Sequence, residues 1–94
     1  MDIIISTGDV RQNYEIIDTI FALDSHKAGF FSTAEPHKAF AGVTKQLKDQ
    51  CKKLKGNAVI NCQFEYRNAL DSGVFGSKQV IEIFAYGTVV RLMQ

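Results

Sequence analysis

Residues 36–66 read PHKAFAGVTKQLKDQCKKLKGNAVINCQFEY, and this stretch decides the fold. Phe40, Val43, Leu47, Cys51 and Leu54 recur at steps of three and four, so at about 100° per residue they gather into one apolar stripe. The spacing predicts an amphipathic helix about twenty residues long. Pro36 suits the first helical position, where its missing N–H is no loss, and Thr33 or Glu35 would serve the free amides of the first turn. Lys52, Lys53 and Lys55 crowd the last turn, where the negative end of the helix dipole favours cations. Gly56 is the expected left-handed stop.

Directly after that stop, Ala58, Ile60, Cys62, Phe64 and Tyr66 alternate with Val59, Asn61, Gln63, Glu65 and Arg67, the period of a strand with one buried face. The Ala58 to Tyr66 set is expected to face the helix. The joint Gly56-Asn57 is too short for the chain to wander, so the helix must fold back onto this strand.

Outward from this unit, Ile3 to Thr7 is a short apolar run ended by the turn signal Gly8-Asp9 and reads as an edge strand. Tyr14 to Leu23 reads as a second strand, with apolar residues on both of its sides: Tyr14, Ile16, Ile20 and Ala22 against Ile17, Phe21 and Leu23. A strand of that kind has both faces covered, and the one helix can cover only one. Another subunit is the simplest cover for the other. Asp24 to Glu35 reads as a connection interrupted by Phe30-Phe31, a pair that either caps the core or meets a neighbouring chain. Asn68 to Ser77 has the composition of a hairpin loop, and Val80 to Leu92 forms a last strand in which Gly87 marks a bulge or a close backbone approach. The order strand, strand, helix, strand, strand is an α+β fold: one domain over residues 1–94, a largely antiparallel sheet and one long helix on it.

With 94 residues the chain has room for one two-layer core, burying about 60–65% of its unfolded surface. Hydrophobic residues at 46%, charged residues at 22% and a formal net charge of +1 give no global pull toward nucleic acid or membrane. Met1 to Ser6 lacks the basic flank and long apolar run of a secretory signal, and no stretch approaches the roughly 20 apolar residues that span a bilayer. A cytoplasmic protein is expected, with Cys51 and Cys62 as free thiols.

Taken together, Gly56-Asn57-Ala58-Val59-Ile60 after an amphipathic helix, Phe64-Glu65-Tyr66, and Tyr86-Gly87-Thr88-Val89-Val90 near the end resemble the YbjQ-like family of small bacterial and archaeal proteins. Ile4-Ile5-Ser6-Thr7 and Ile16-Ile17-Asp18 resemble its opening, so the likeness covers nearly the whole chain. The resemblance implies a dodecin-like subunit that closes into a ring, a homopentamer, and it brings a heavy-metal-binding label. Two departures stand out: a short segment at Ser25 to Glu35, and Val89 where alanine is commoner.

Four residues suit a soft or borderline metal such as zinc or copper: His26, His37, Cys51 and Cys62. None stand at metal-ligand spacing, though Cys51 on the helix stripe and Cys62 on the strand beneath it are placed to approach each other. The competing reading makes both cysteines small core residues and both histidines surface residues. Lys38, Lys45, Lys48, Lys52 and Lys55 lie opposite the apolar stripe, where a ring would repeat them as a belt for an anion. Asp49 interrupts them and the aromatics lie mostly on strands, which favours a solvated face and no nucleic acid partner. Phosphate-loop, serine-hydrolase and zinc-protease motifs are absent, so no catalysis is assigned. A structural or interaction module is the alternative to a metal or small-ligand binder. The third reading is an enzyme with Thr88, Tyr86 and Glu82 in an intersubunit cleft.

Overall fold

The computed structural model describes residues 2–27, 36–73 and 76–93. Strand β1 (Ile4–Ile5), strand β2 (Tyr14–Lys27), helix α1 (Pro36–Lys53), strand β3 (Ala58–Gly73) and strand β4 (Gly76–Leu92) follow one another. The sheet order is β1-β3-β4-β2; β1 runs parallel to β3 and the other pairs are antiparallel. The fold is α+β, with the helix on one face of a mixed four-stranded sheet. No helix among the described residues is long and apolar enough to cross a membrane.

Helix α1 begins at Pro36, as its ring geometry favours; Thr33, Glu35 and the Phe30-Phe31 pair lie outside the described residues. The buried stripe is Ala39, Val43, Leu47 and Cys51. Phe40, expected within that stripe, is instead 44% exposed and stacks on Phe64 with ring centroids 4.6 Å apart. The helix ends in a Schellman motif: Gly56 N–H donates to the Cys51 carbonyl and Lys55 N–H to that of Lys52, both at 3.0 Å. The left-handed residue is Lys55 (φ 64°), one place before the expected Gly56. Gly56 serves a different need. A Cβ there would collide with Val89 Cγ1 and stand 3.0 Å from the Val90 carbonyl, so only glycine lets the helix end lie this close to β4.

Strand β3 departs from simple alternation. Ile60 pairs with Thr88 but Gln63 with Tyr86, so Asn61 and Cys62 together oppose Gly87, and Asn61 takes φ 51° to make this bulge. An inserted residue exchanges the faces of everything before it. Val59, Cys62 and Phe64 therefore pack on the helix side, whereas Ala58 and Ile60, expected there, join Val90, Val10, Tyr14 and Leu92 on the opposite face. A second bulge between Ile16 and Asp18 in β2 turns Ile17 toward the helix-side core.

Of the stretch expected as a hairpin loop, residues 68–73 and 76–77 are strand, and residues 74–75 lie outside the described residues. Pairing of β3 with β4 continues through Asn68↔Ile81 and Ser72↔Ser77 to Gly73↔Gly76. β2 likewise runs on to Lys27, beyond the expected Leu23. The long ribbon gives the chain a radius of gyration of 16.0 Å and extents of 55 × 20 × 18 Å. A compact chain of this length would have a radius of about 12 Å.

Candidate functional site

The helix covers the face made by Ile20 and Ala22 of β2, Val59 and Cys62 of β3, and Ile83, Ala85 and Val89 of β4. Its hold on β2 includes two polar ties at i, i+4 spacing, where Gln46 Nε2 donates to the Leu23 carbonyl at 3.0 Å and Gln50 Nε2 to the Phe21 carbonyl at 2.8 Å. These satisfy part of the outer edge of β2. Among the described residues the outer edge of β3 is met by β1, which pairs at Ala58 and Val59, and by the segment after it, where the Ser6 and Gly8 carbonyls accept from the N–H groups of Cys62 and Asn61 at 2.9 and 3.0 Å.

The opposite face carries Phe21, Leu23, Phe84 and Tyr86, exposed by 66, 55, 37 and 39%. Register places Phe21 opposite Tyr86 and Leu23 opposite Phe84. The rings form a row, Phe21 to Phe84 at 6.2 Å and Phe84 to Tyr86 at 5.9 Å. Strand alternation puts them on one side, and no helix of the described chain lies over them.

Beside this row opens a cleft of about 700 Å³ lined by Leu23, Phe84 and Glu82 together with Phe64, Glu65, Tyr66 and Arg67 of β3. Arg67 Nη2 donates to both carboxylate oxygens of Glu82, its cross-strand neighbour, at 3.2 and 3.5 Å. With Arg67 largely exposed the pair adds about 0–1 kcal/mol of stability. Its greater effect is to set a fixed positive and negative group beside an aromatic wall, suited to an amphipathic ligand. Of Thr88, Tyr86 and Glu82, expected together in a cleft between subunits, Glu82 lines this cleft within one subunit. Tyr86 stands next to that cleft in the ring row, and Thr88 is half-buried opposite Thr19. Arg67, Phe64 and Tyr66 were missed as cleft residues, although opposite charges falling in register across β3 and β4 would have linked Arg67 to Glu82.

No three of the four soft-metal candidates come together. Cys51 and Cys62 are free thiols, wholly buried within one core cluster. Burial pushes both thiols up from their usual range, offset in part at Cys51 by a hydrogen bond from the Ala58 backbone; the Cys51 Sγ also lies 3.7 Å from the Ala58 carbonyl as a donor. His26 lies on β2 opposite Ile81, and His37 is exposed in the first turn of α1. Among the described residues no three or more His, Cys, Asp or Glu side chains gather closely enough to hold a metal ion. Of the lysines on the outer helix side, Lys45 is bound to Asp49 at 2.9 Å, and this pairing holds the Asp49 carboxyl below its usual range.

The profile of the YbjQ-like family, described as "Putative heavy-metal-binding", matches residues 5–93, and the chain belongs to that family. Among solved structures it is similar to a protein of unknown function from Pediococcus pentosaceus assigned to the DUF74 family, with a TM-score of 0.72 and 21% identity over 97% of this chain and 98% of that one. That likeness extends the family relation to the fold. No curated protein matches the chain.

Proposed function

We propose that this YbjQ-like chain is the subunit of a cytoplasmic ring of identical copies, a homopentamer, which holds a small ligand or metal ion where subunits meet and carries no catalysis of its own. The observation that supports it is the row Phe21, Leu23, Phe84 and Tyr86 on the sheet face away from the helix. At the exposures given above, these four side chains leave about 400 Å² of apolar surface in water, as large as the largest patch on a typical monomer. Covering it is worth about 10 kcal/mol per subunit before the costs of association. The edge of β3 beyond Cys62, along which no strand pairs among the described residues, and the elongated shape of the chain favour the same reading.

Five copies is the number the family resemblance implies, and a ring is the closed form of a head-to-tail contact. The cleft at Glu82 and Arg67 borders the uncovered row, so a neighbour seated on the row would wall that cleft. This makes it the ligand position favoured here.

Phe21→Glu tests the assembly. Phe21 is 66% exposed in the subunit, so the change leaves the subunit fold intact. At an interface it removes about 130 Å² of apolar contact, about 3 kcal/mol, and adds a carboxylate to be dehydrated, so association weakens at least a hundredfold. Light scattering at micromolar concentration is expected to show a folded species of lower mass than the wild type. Equal masses would remove the proposed face from the interface.

A further inference from the structure

We infer that Cys51 and Cys62 are spacers in a glycine-fitted core and not metal ligands, so that any heavy metal this protein binds in its folded state is held by other donors. The inference follows from where the two sequence motifs meet. Gly56, at the head of Gly56-Asn57-Ala58-Val59-Ile60, lies against Val89 Cγ1 and the Val90 carbonyl of the other motif. Gly87, in Tyr86-Gly87-Thr88-Val89-Val90, lies against Val59 of the first motif and the Cα and Cβ of Cys62. Each motif thus supplies the glycine that the other's side chains need.

The backbone bonds draw the same segments together. Asn57 N–H donates to the Val90 carbonyl at 3.1 Å, and the Asn57 side-chain oxygen accepts from Leu92 N–H at 2.8 Å. The cysteines occupy the space that remains. Cys51 Sγ is 3.1 Å from where a Cβ on Gly56 would stand, and Cys62 sits in the bulge opposite Gly87. Both are 0% exposed. In such places a small apolar side chain fits and a larger one does not.

A soft-metal site asks for the reverse. Its thiols must lose their protons, other ligands must converge on them, and a path must admit the ion. Here the core cluster that contains both thiols is otherwise made of Ile, Val, Leu, Ala and Phe64, none of which can ligate. Burial favours the protonated form of each thiol.

The test compares the wild type, purified untagged under reductant, with Cys51→Ala/Cys62→Ala. Zinc and monovalent copper are added separately, bound metal is counted, and absorbance is read for a thiolate-to-copper band. Ellman's reagent is then applied to the native and the urea-unfolded wild type. The expected results are equal metal in both proteins, no thiolate band, and thiol labelling at least about a hundredfold slower in the native state, since it must await opening of the core. One equivalent of metal per chain present in the wild type and absent from a folded double variant would overturn the inference, as would a thiolate band or fast native labelling. If the double variant does not fold, the band and the labelling rate of the wild type decide. The inference rests on the family's metal label within the reading above but fails separately from it, because the mass of the assembly is read without metal.

Discussion

Gly87→Ala tests the bulge on which the two faces of β3 depend. An alanine Cβ at this position would stand 2.7 Å from Val59 Cγ1 and 3.3 Å from both Cα and Cβ of Cys62. The first distance is impossible without movement, and the second involves backbone that the bulge holds in place. Restricting the unfolded chain would favour alanine by about 0.4–1 kcal/mol, whereas overpacking a closed core costs about 1–3 kcal/mol. The net expectation is a loss of about 1–2 kcal/mol. Val59→Ala alone removes two buried methyl groups and costs about 2–3 kcal/mol through lost transfer energy and a cavity. In the double variant one of the missing Val59 methyls, Cγ1, is the one the new Cβ would strike, so the combined loss falls short of additivity by about 1 kcal/mol. The assay is urea unfolding followed by circular dichroism at one fixed protomer concentration, since association contributes to apparent stability. Gly8→Ala is the control: nothing lies within 4 Å of its added Cβ, and its effect should stay within about 0.5 kcal/mol. A Gly87→Ala protein as stable as the Gly8→Ala control, or strict additivity with Val59→Ala, would refute the close packing described at the bulge.

The buried thiols set a pH dependence. Their folded pKa values are raised by burial, so above the unfolded thiol range of about 8.5 the unfolded chain releases protons that the folded chain retains. Stability attributable to Cys51 and Cys62 is therefore full below that pH and falls as pH rises through it. Cys51→Ala/Cys62→Ala should have a flatter stability profile between pH 8 and about 10 in urea titrations, and parallel profiles would contradict the assignment. Gln50→Ala leaves the Phe21 carbonyl without its 2.8 Å partner at an edge open to water. A loss of about 1 kcal/mol is expected by thermal unfolding, together with faster amide exchange in β2; an unchanged exchange rate would remove the polar tie between helix and strand edge.

Much of the architecture was legible because local and global signals agree. The 3–4 spacing from Val43 to Cys51 marks the buried helix stripe, and the glycine at 56 marks the joint, although for closeness to β4 and not for a left-handed turn. Phe40 was misassigned because spacing cannot distinguish the centre of a stripe from its rim, where Ala39 is the buried neighbour. The faces of Ala58 and Ile60 were read inverted because a bulge is set across strands, by Gly87, and leaves no mark in the alternation of β3 itself. Asn68 to Ser77 looked like a loop because six of its ten residues are Asn, Asp, Ser or Gly, yet a ribbon needs only backbone pairing, which composition does not reveal. For the cleft on the subunit, Glu82 was legible only as a candidate for a cleft between subunits, and Arg67 required the register. The apolar excess of β2 was legible at once, and the structure locates it in Phe21 and Leu23, beside Phe84 and Tyr86 of β4.

The claim that the remaining sheet face belongs to an interface is tested most directly by the mass of the wild-type protein in solution. Light scattering across a hundredfold range of concentration should give a constant mass about five times the 10.5 kDa of one chain. A folded particle of single-chain mass at every concentration would contradict both the ring and any ligand site between its members.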